Sequence, residues 1–158
     1  MSPRFAAAGR ALVVVAALVA GGCSATPEDK WLRARPKTYP TGGTVLVDGR
    51  PVKGLKVQFE RSSGGDGKPA VAFGYTDARG GFRLRTFRDG DGAVAGDHAV
   101  TVEWVTFEPL PTPAGGEVAP MREVSHLPER YRAPRTSGLT ATVVPGGGNR
   151  FSFSVSAQ

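Results

Sequence analysis

Apolar and polar side chains alternate in short runs along most of the chain. The clearest run places Leu55, Val57 and Phe59 at every second position, with lysine, glutamine and glutamate as the polar residues. Side chains two residues apart share one face of a β-strand, so this alternation predicts half-buried strands with one face in a core. We predict seven such strands, at residues 44–47, 55–60, 70–76, 82–87, 98–104, 139–144 and 150–155.

Glycine-rich turns separate the predicted strands. Asp48-Gly49 follows the first strand and Gly80-Gly81 precedes the fourth, and both pairs suit tight turns. The chain of 158 residues contains 22 glycines and 13 prolines, which favours turns and short strands over helices. We therefore predict an all-β fold, a seven-stranded antiparallel β-sandwich that forms one domain over residues 41–158.

A long excursion at residues 108–138 interrupts the strand pattern. It contains six prolines, so regular structure within it must be short, and residues 123–131 are predicted to form one helical turn. Long loops on a rigid scaffold commonly carry function, so this excursion is the predicted contact surface for a partner.

Residues 1–22 have the character of a secretory signal peptide. Arg4 and Arg10 give a positive start. The apolar run that follows, at residues 11–20, is too short for a membrane-spanning helix, which needs about 20 residues.

The only cysteine of the chain, Cys23, follows this leader directly. Ala20-Gly21-Gly22 precedes it and resembles a bacterial lipobox, although leucine is commonest where Ala20 stands. We predict that Cys23 carries a lipid anchor of palmitate-type acyl chains, which would hold the protein on a membrane permanently. The alternative is an ordinary signal peptide cleaved nearby, with Cys23 as an idle thiol.

Residues 23–40 are polar and contain several prolines, so we predict a flexible tether that carries the lipidated Cys23. The protein is then exported and anchored in the bacterial cell envelope, on the periplasmic side or at the outer membrane. Its predicted partners are the membrane, through the anchor, and an envelope protein or polysaccharide. The net charge of the full chain is +6, of which Arg4 and Arg10 of the predicted signal peptide contribute two, and the remainder favours weak attraction to acidic lipid or polysaccharide. We expect no nucleic acid, because no dense basic run is interleaved with aromatic residues.

Three parts of the chain carry a family resemblance. Residues 43–52 followed by 57–59, residues 76–84 and residues 96–102 resemble the opening strands, the central turn and a core strand of carboxypeptidase regulatory-like domains. The closing residues 127–153 look like small bacterial lipoproteins built from one such domain. The resemblance implies a transthyretin-like, or prealbumin-like, sandwich without catalytic residues. His98 stands where the family commonly has tyrosine.

An acidic loop at residues 88–97 is the best candidate for a cation. Asp89, Asp91 and Asp97 lie among glycines, as calcium ligands often do. A calcium loop of about twelve residues that starts at Asp89 would however place Val100 at the last ligand position, where glutamate is needed. The loop is better explained by turn-forming aspartate and glycine, so we predict no metal and no cofactor.

The remaining polar residues do not indicate an enzyme. His98 and His126 are the only histidines, whereas zinc needs three or four ligands. Ser125 precedes His126, but no nucleophile motif surrounds it. Asp48 directly before Gly49, and Asp77 three residues before Gly80, each stand at a strand end, where aspartate commonly caps a turn. We therefore predict no catalytic residues.

The predicted function is that of a non-enzymatic, membrane-anchored envelope lipoprotein that acts as a binding or structural module. The alternative is a carbohydrate-binding module of the cell envelope, which would present flat aromatic rings to sugars. Trp104 is expected in the core or at its rim. The candidate rings are Trp104, Phe107, Tyr131, Phe73 and Tyr75.

Replacing Cys23 with serine is expected to release the protein from membranes, because a serine hydroxyl cannot form the thioether that holds the acyl chains. Cell fractionation, followed by mass spectrometry of the processed protein, measures this. A serine variant that still partitions with lipid, or a free thiol on the processed wild-type chain, would contradict the anchor.

Overall fold

The predicted strand pattern can be compared with a computed structural model, which describes residues 35–62, 70–111 and 119–157. Twelve strands and one short 3₁₀ helix, Glu129–Arg132, lie in these ranges. The strands are β1 (Thr38–Tyr39), β2 (Thr41–Val47), β3 (Arg50–Pro51), β4 (Lys56–Arg61), β5 (Val71–Tyr75), β6 (Gly81–Arg83), β7 (Ala93–Val94), β8 (Gly96–Glu103), β9 (Val105–Pro109), β10 (Met121–Ser125), β11 (Leu139–Val143) and β12 (Asn149–Val155).

The all-β prediction is confirmed, and each of the seven predicted segments overlaps a strand, although the strand predicted at residues 82–87 ends at Arg83. Five further strands, β1, β3, β7, β9 and β10, were not predicted, so the described residues hold twelve strands in place of seven. Thr38–Tyr39 falls within the predicted tether and pairs with Ala93–Val94. The predicted signal peptide and Cys23 lie outside the described residues.

The first main sheet is antiparallel and has the strand order β11-β8-β4-β5. Val57 of β4 lies opposite Gly74 of β5 on one side and Val102 of β8 on the other. β4 and β8 are the central strands of this sheet, and their alternate side chains supply much of the core.

The second main sheet contains β12, β2 and β3, with β6 also paired to β2. β12 runs parallel to β2, with Asn149 opposite Thr41 and Val155 opposite Val47. The prediction of a wholly antiparallel sandwich is therefore wrong at this pair. Parallel neighbours need a long crossover connection, and here the whole intervening domain separates the two strands in sequence.

The inner faces of the two main sheets share one core with Phe59 near its centre. The ring of Phe59 lies 6.2 Å from that of Phe82 and 6.1 Å from that of Phe153, both of which belong to the second sheet. Burying one such side chain stabilises a fold by about 1.5–3 kcal/mol. The largest buried apolar side chains follow the predicted alternation on most strands: Val45, Val47, Leu55, Val57, Phe59, Phe82, Leu84, Val100, Val102, Val143, Phe153 and Val155.

Glycine is required where two strand contacts are unusually close. A Cβ atom at Gly43 would overlap the carbonyl oxygen of Phe151 in β12, and one at Gly74 would overlap that of Arg83. These two positions let β12 approach β2, and let the chain around Arg83 approach β5. Backbone hydrogen bonds of 2.9 Å in both directions then join Phe73 to Arg85 and connect the edges of the two sheets.

The proline-rich excursion contains an exposed ribbon and a second segment that places two large apolar side chains in the core. β9 and β10 pair into an antiparallel ribbon whose residues are mostly exposed. Beyond this ribbon, Leu127 is fully buried and Tyr131 nearly so, both within the core. The predicted helical turn is confirmed as the 3₁₀ helix Glu129–Arg132. This second segment therefore also has a structural role, because its two large apolar side chains complete the core, and the excursion as a contact surface stays a prediction.

Phe82→Ala and Phe153→Ala are each expected to lower the free energy of unfolding by about 3–5 kcal/mol, because each removes a buried ring and leaves a cavity. Urea unfolding followed by tryptophan fluorescence measures the loss. Phe107→Ala is the matched control, since the Phe107 side chain is 63% exposed. A loss below about 1 kcal/mol for either core variant would show that its ring does not hold the two sheets together.

Candidate functional site

Three neighbouring strands of the second main sheet place two arginines on either side of a glycine. β6 and β12 flank β2, and their Arg83 and Arg150 both lie directly opposite Gly42. Both arginines are exposed, whereas the neighbouring Phe82 and Asn149 are buried. Adjacent strands are about 4.8 Å apart, so the two arginine Cα atoms are separated by about 10 Å. Gly42 leaves the space between them without a side chain.

This row lies in an open groove of about 800 Å³. We call it the arginine groove and define it by six of its lining residues, Arg79, Arg83, Arg150, Tyr75, Asp77 and Thr44. Glycines of β2 and of the turn before β12 also line it, which exposes backbone to solvent. The groove is thus built from the outer surface of the second sheet and the turns that border it.

The groove holds three arginines and one acidic residue, Asp77, whose carboxylate interacts electrostatically with Arg79. Within the described ranges, no aspartate or glutamate forms an ion pair with Arg79, Arg83 or Arg150. A guanidinium group has a planar set of N–H donors that matches the oxygens of a carboxylate, sulfate or phosphate. The groove therefore offers three positive charges to an anionic ligand.

Asp77 is the one acidic residue of the groove, and its carboxylate is occupied by its own turn. Oδ1 of Asp77 accepts hydrogen bonds from the backbone N–H of Gly81 at 2.9 Å and of Arg79 at 2.8 Å. The bond from Gly81, followed by that from Arg79, lowers the pKa of Asp77. The predicted turn cap at Asp77 is confirmed. Asp48 differs from Asp77, because its Oδ2 accepts a hydrogen bond of 3.2 Å from the backbone N–H of Ala157, which is far from it in the sequence.

One exposed and one half-buried aromatic ring lie at the edge of the groove. Tyr75 is 59% exposed and lines the groove, and Phe73 lies on the same outer face of β5. Their ring centroids are 6.3 Å apart in an edge-to-face arrangement. The guanidinium of Arg85 lies 4.6 Å from the centre of the Phe73 ring and forms an ion pair with Asp89 at 2.7 Å. We call Phe73 and Tyr75 the aromatic pair.

The other candidate rings are not part of this surface. Trp104 packs against the core as predicted, and its ring centroid is 4.7 Å from that of His126. Tyr131 is buried, and Phe107 is exposed on β9 but does not line the groove. Only Phe73 and Tyr75, of the five predicted aromatic candidates, lie together.

His98 is a core residue with one ring nitrogen unused. Its Nδ1 lies 2.9 Å from the carbonyl oxygen of Gly96, so Nδ1 carries the hydrogen, while Nε2 has no hydrogen-bond partner among the described residues. The ring lies 5.8 Å from that of Phe59. Burial lowers the pKa of His98, and the positive charge of Arg61 adds to this effect.

The acidic loop uses its carboxylates separately. Asp91 accepts hydrogen bonds from the backbone N–H groups of residues 86–88, Asp89 pairs with Arg85, and Asp97 accepts the hydroxyl hydrogen of Thr142. In the part of the chain that the structure describes, no three histidine, cysteine, aspartate or glutamate side chains are close enough together to hold a metal ion.

The arginine groove is the feature that sequence reasoning missed. In the sequence, Arg83 and Arg150 fall within the predicted strands 82–87 and 150–155, and the alternation does not relate one to the other. Their position on either side of Gly42 depends on which strands neighbour β2. The glycine pair Gly42-Gly43 was the available signal, since glycine inside a strand often marks a close approach of backbones.

The comparisons with known proteins add no family. The chain matches no family model, no curated protein and no solved structure. The likeness to carboxypeptidase regulatory-like domains therefore stays a prediction. A search of the described residues for a helix of sufficient length and hydrophobicity to cross a membrane found none.

The stability of the protein is expected to depend on pH through His98. Because the pKa of His98 is lower in the folded protein than its unfolded value of about 6.5, protonation favours the unfolded chain. The contribution of His98 to the free energy of unfolding is therefore complete above a pH of about 6.5 and decreases as the pH falls below this value. Urea unfolding over a pH series measures this.

His98→Phe should remove this part of the pH dependence, and His126→Gln should leave it unchanged. His126 is a suitable control because it hydrogen-bonds Thr106 at an exposed site. Identical pH profiles for wild type and His98→Phe would show that His98 stays neutral or charged equally in both states.

Proposed function

We propose that the protein is a non-enzymatic binding module, anchored by lipid in the bacterial cell envelope, and that the arginine groove is its ligand site. The observation that supports this proposal is the presence of three arginines in one groove without ion pairs to other described residues. Arg135 also has no carboxylate ion pair among the described residues, but it lies outside the groove, so the grouping of three arginines is what marks this surface. The groove places three sets of guanidinium donors where one ligand can reach them.

The chemistry of the groove suits binding better than catalysis. A guanidinium group remains protonated in proteins, so Arg79, Arg83 and Arg150 donate hydrogen bonds but do not act as general bases. The lowered pKa of Asp77 keeps its carboxylate ionised, and two backbone N–H groups occupy one of its oxygens. These groups can hold and orient an anion, and no proton transfer is assigned to them.

The proposed anchor supplies the location. A lipidated Cys23 and the tether that follows would confine the module to the membrane surface, on the periplasmic side or at the outer membrane. Confinement raises the effective concentration of a ligand that resides in the same envelope, so a site of modest affinity can remain occupied. The partners that fit this location are an envelope protein or a polysaccharide.

A carbohydrate-binding module is the second candidate, and the aromatic pair favours it. Tyr75 offers an apolar ring face and a hydroxyl at the edge of the groove, which suits a sugar ring with its apolar and polar faces. Phe73 extends the same surface along β5. The transthyretin-like fold, which is expected from the resemblance to carboxypeptidase regulatory-like domains, stays part of this proposal.

A photo-crosslinking residue placed at Thr44, inside the groove, is expected to capture an envelope component in living cells. The same residue at Thr140 is the control, because Thr140 is exposed on the first main sheet and does not line the groove. Mass analysis of the product distinguishes a protein from a polysaccharide. Capture should decrease when Cys23→Ser removes the anchor.

Equal capture from Thr44 and Thr140 would contradict the groove as the ligand site. Undiminished capture after Cys23→Ser would contradict the role of the anchor, while leaving the site in place.

A further inference from the structure

The arginine groove has features that indicate the chemical class of its ligand. Its volume of about 800 Å³ is far larger than one inorganic anion and lies in the range of about 300–1,000 Å³ that is typical of sites for molecules of several rings. A single phosphate or carboxylate would leave most of it filled with water. The ligand that fits is therefore an extended molecule.

The positive charges are distributed and not focused on one point. Arg83 and Arg150 stand on opposite sides of Gly42, and Arg79 is on the turn between β5 and β6. A ligand that uses all three needs negative groups at more than one place along its length. A repeating polymer with one acidic group in each unit satisfies this condition.

The edge of the groove adds a requirement for ring-shaped units. Tyr75 lines the groove and is mostly exposed, whereas Phe73 is half-buried beside it, with the Arg85 guanidinium over its ring. A sugar ring can stack on such a surface while its carboxylate reaches an arginine. An acidic peptide or a chain of phosphates would use the charges but gain little from the aromatic pair.

We propose that the arginine groove binds an acidic polysaccharide, whose carboxylates pair with Arg79, Arg83 and Arg150 and one of whose sugar rings stacks on Tyr75. The inference rests on the proposed binding function and names its ligand class. The acidic sugars would be of the uronic acid type, which carry one carboxylate on each ring.

The test uses the full-length lipidated protein in micelles of a neutral detergent. Titration calorimetry compares an oligosaccharide of polygalacturonate with its methyl ester of the same length, which has the same sugars without the charges. We expect binding of the acidic form alone, weakened by added salt because the charges are exposed. Polyglutamate of matched charge is the peptide control.

Variants locate the binding within the groove. Arg83→Gln and Arg150→Gln should each weaken the binding of oligogalacturonate about tenfold or more, which is typical for the loss of a hydrogen bond to a charged group. Tyr75→Ala should weaken binding of oligogalacturonate but not the residual binding of polyglutamate. Arg135→Gln is the matched control, because Arg135 is exposed and lies outside the groove.

The outcomes separate this inference from the proposed function. Equal binding of the methyl ester would overturn the requirement for acidic groups. If polyglutamate binds as tightly as oligogalacturonate and Tyr75→Ala has no effect on binding, the inference that the ligand is a sugar is overturned. If no probe binds but the crosslinker at Thr44 still captures an envelope component, this inference fails and the binding module stands. If neither occurs, both fail.

Discussion

The parallel pairing of β12 with β2 determines both surfaces of the second main sheet. On the inner surface, its register places Phe153 opposite Val45 and brings both into the core. On the outer surface, the same register places Arg150 opposite Gly42. Because side chains alternate between faces, a slip of one residue would bury the arginine and expose the phenylalanine. The core and the groove therefore depend on one set of hydrogen bonds between two strands.

Glycine makes this pairing possible and also shapes the site. Gly43 admits the carbonyl group of Phe151, and the neighbouring Gly42 leaves room between two arginines. The two consecutive glycines thus have different roles on opposite faces of β2. Gly43 allows β12 to approach closely, and Gly42 keeps the groove open. A strand usually loses stability when it contains glycine, since the unfolded chain is then more flexible. The burial of Val45 and Val47 on the same strand offsets this cost.

The sequence was sufficient to predict what depends on near neighbours. Alternation assigned Val57 and Phe59 to the core, and the spacing of Asp77 and Gly81 indicated a capped turn. It was not sufficient where distant segments meet. Alternation states which side chains share a face but not which strand lies beside which, so the parallel direction of β12 and the row around Gly42 were both missed.

The excursion shows a second reason for failure. Its prolines correctly indicated that regular structure would be short, but proline content does not reveal whether nearby apolar side chains are buried. Leu127 and Tyr131 follow no periodic pattern, so their burial in the core is visible only in the three-dimensional structure. The ribbon formed by β9 and β10 is the part that projects, with Phe107 among its most exposed residues.

The lining of the groove includes Pro40, which lies directly between β1 and β2 near the start of the folded domain. Under the proposed anchoring, a ligand fixed to another structure would pull on the domain through β2, β6 and β12, and the membrane would pull back through β1 and the first residues of β2. The force would thus pass through only a few residues of paired strands. The hydrogen bonds between these strands would resist it together, because the force acts parallel to the strands. The aromatic centre around Phe59 would carry little of this force.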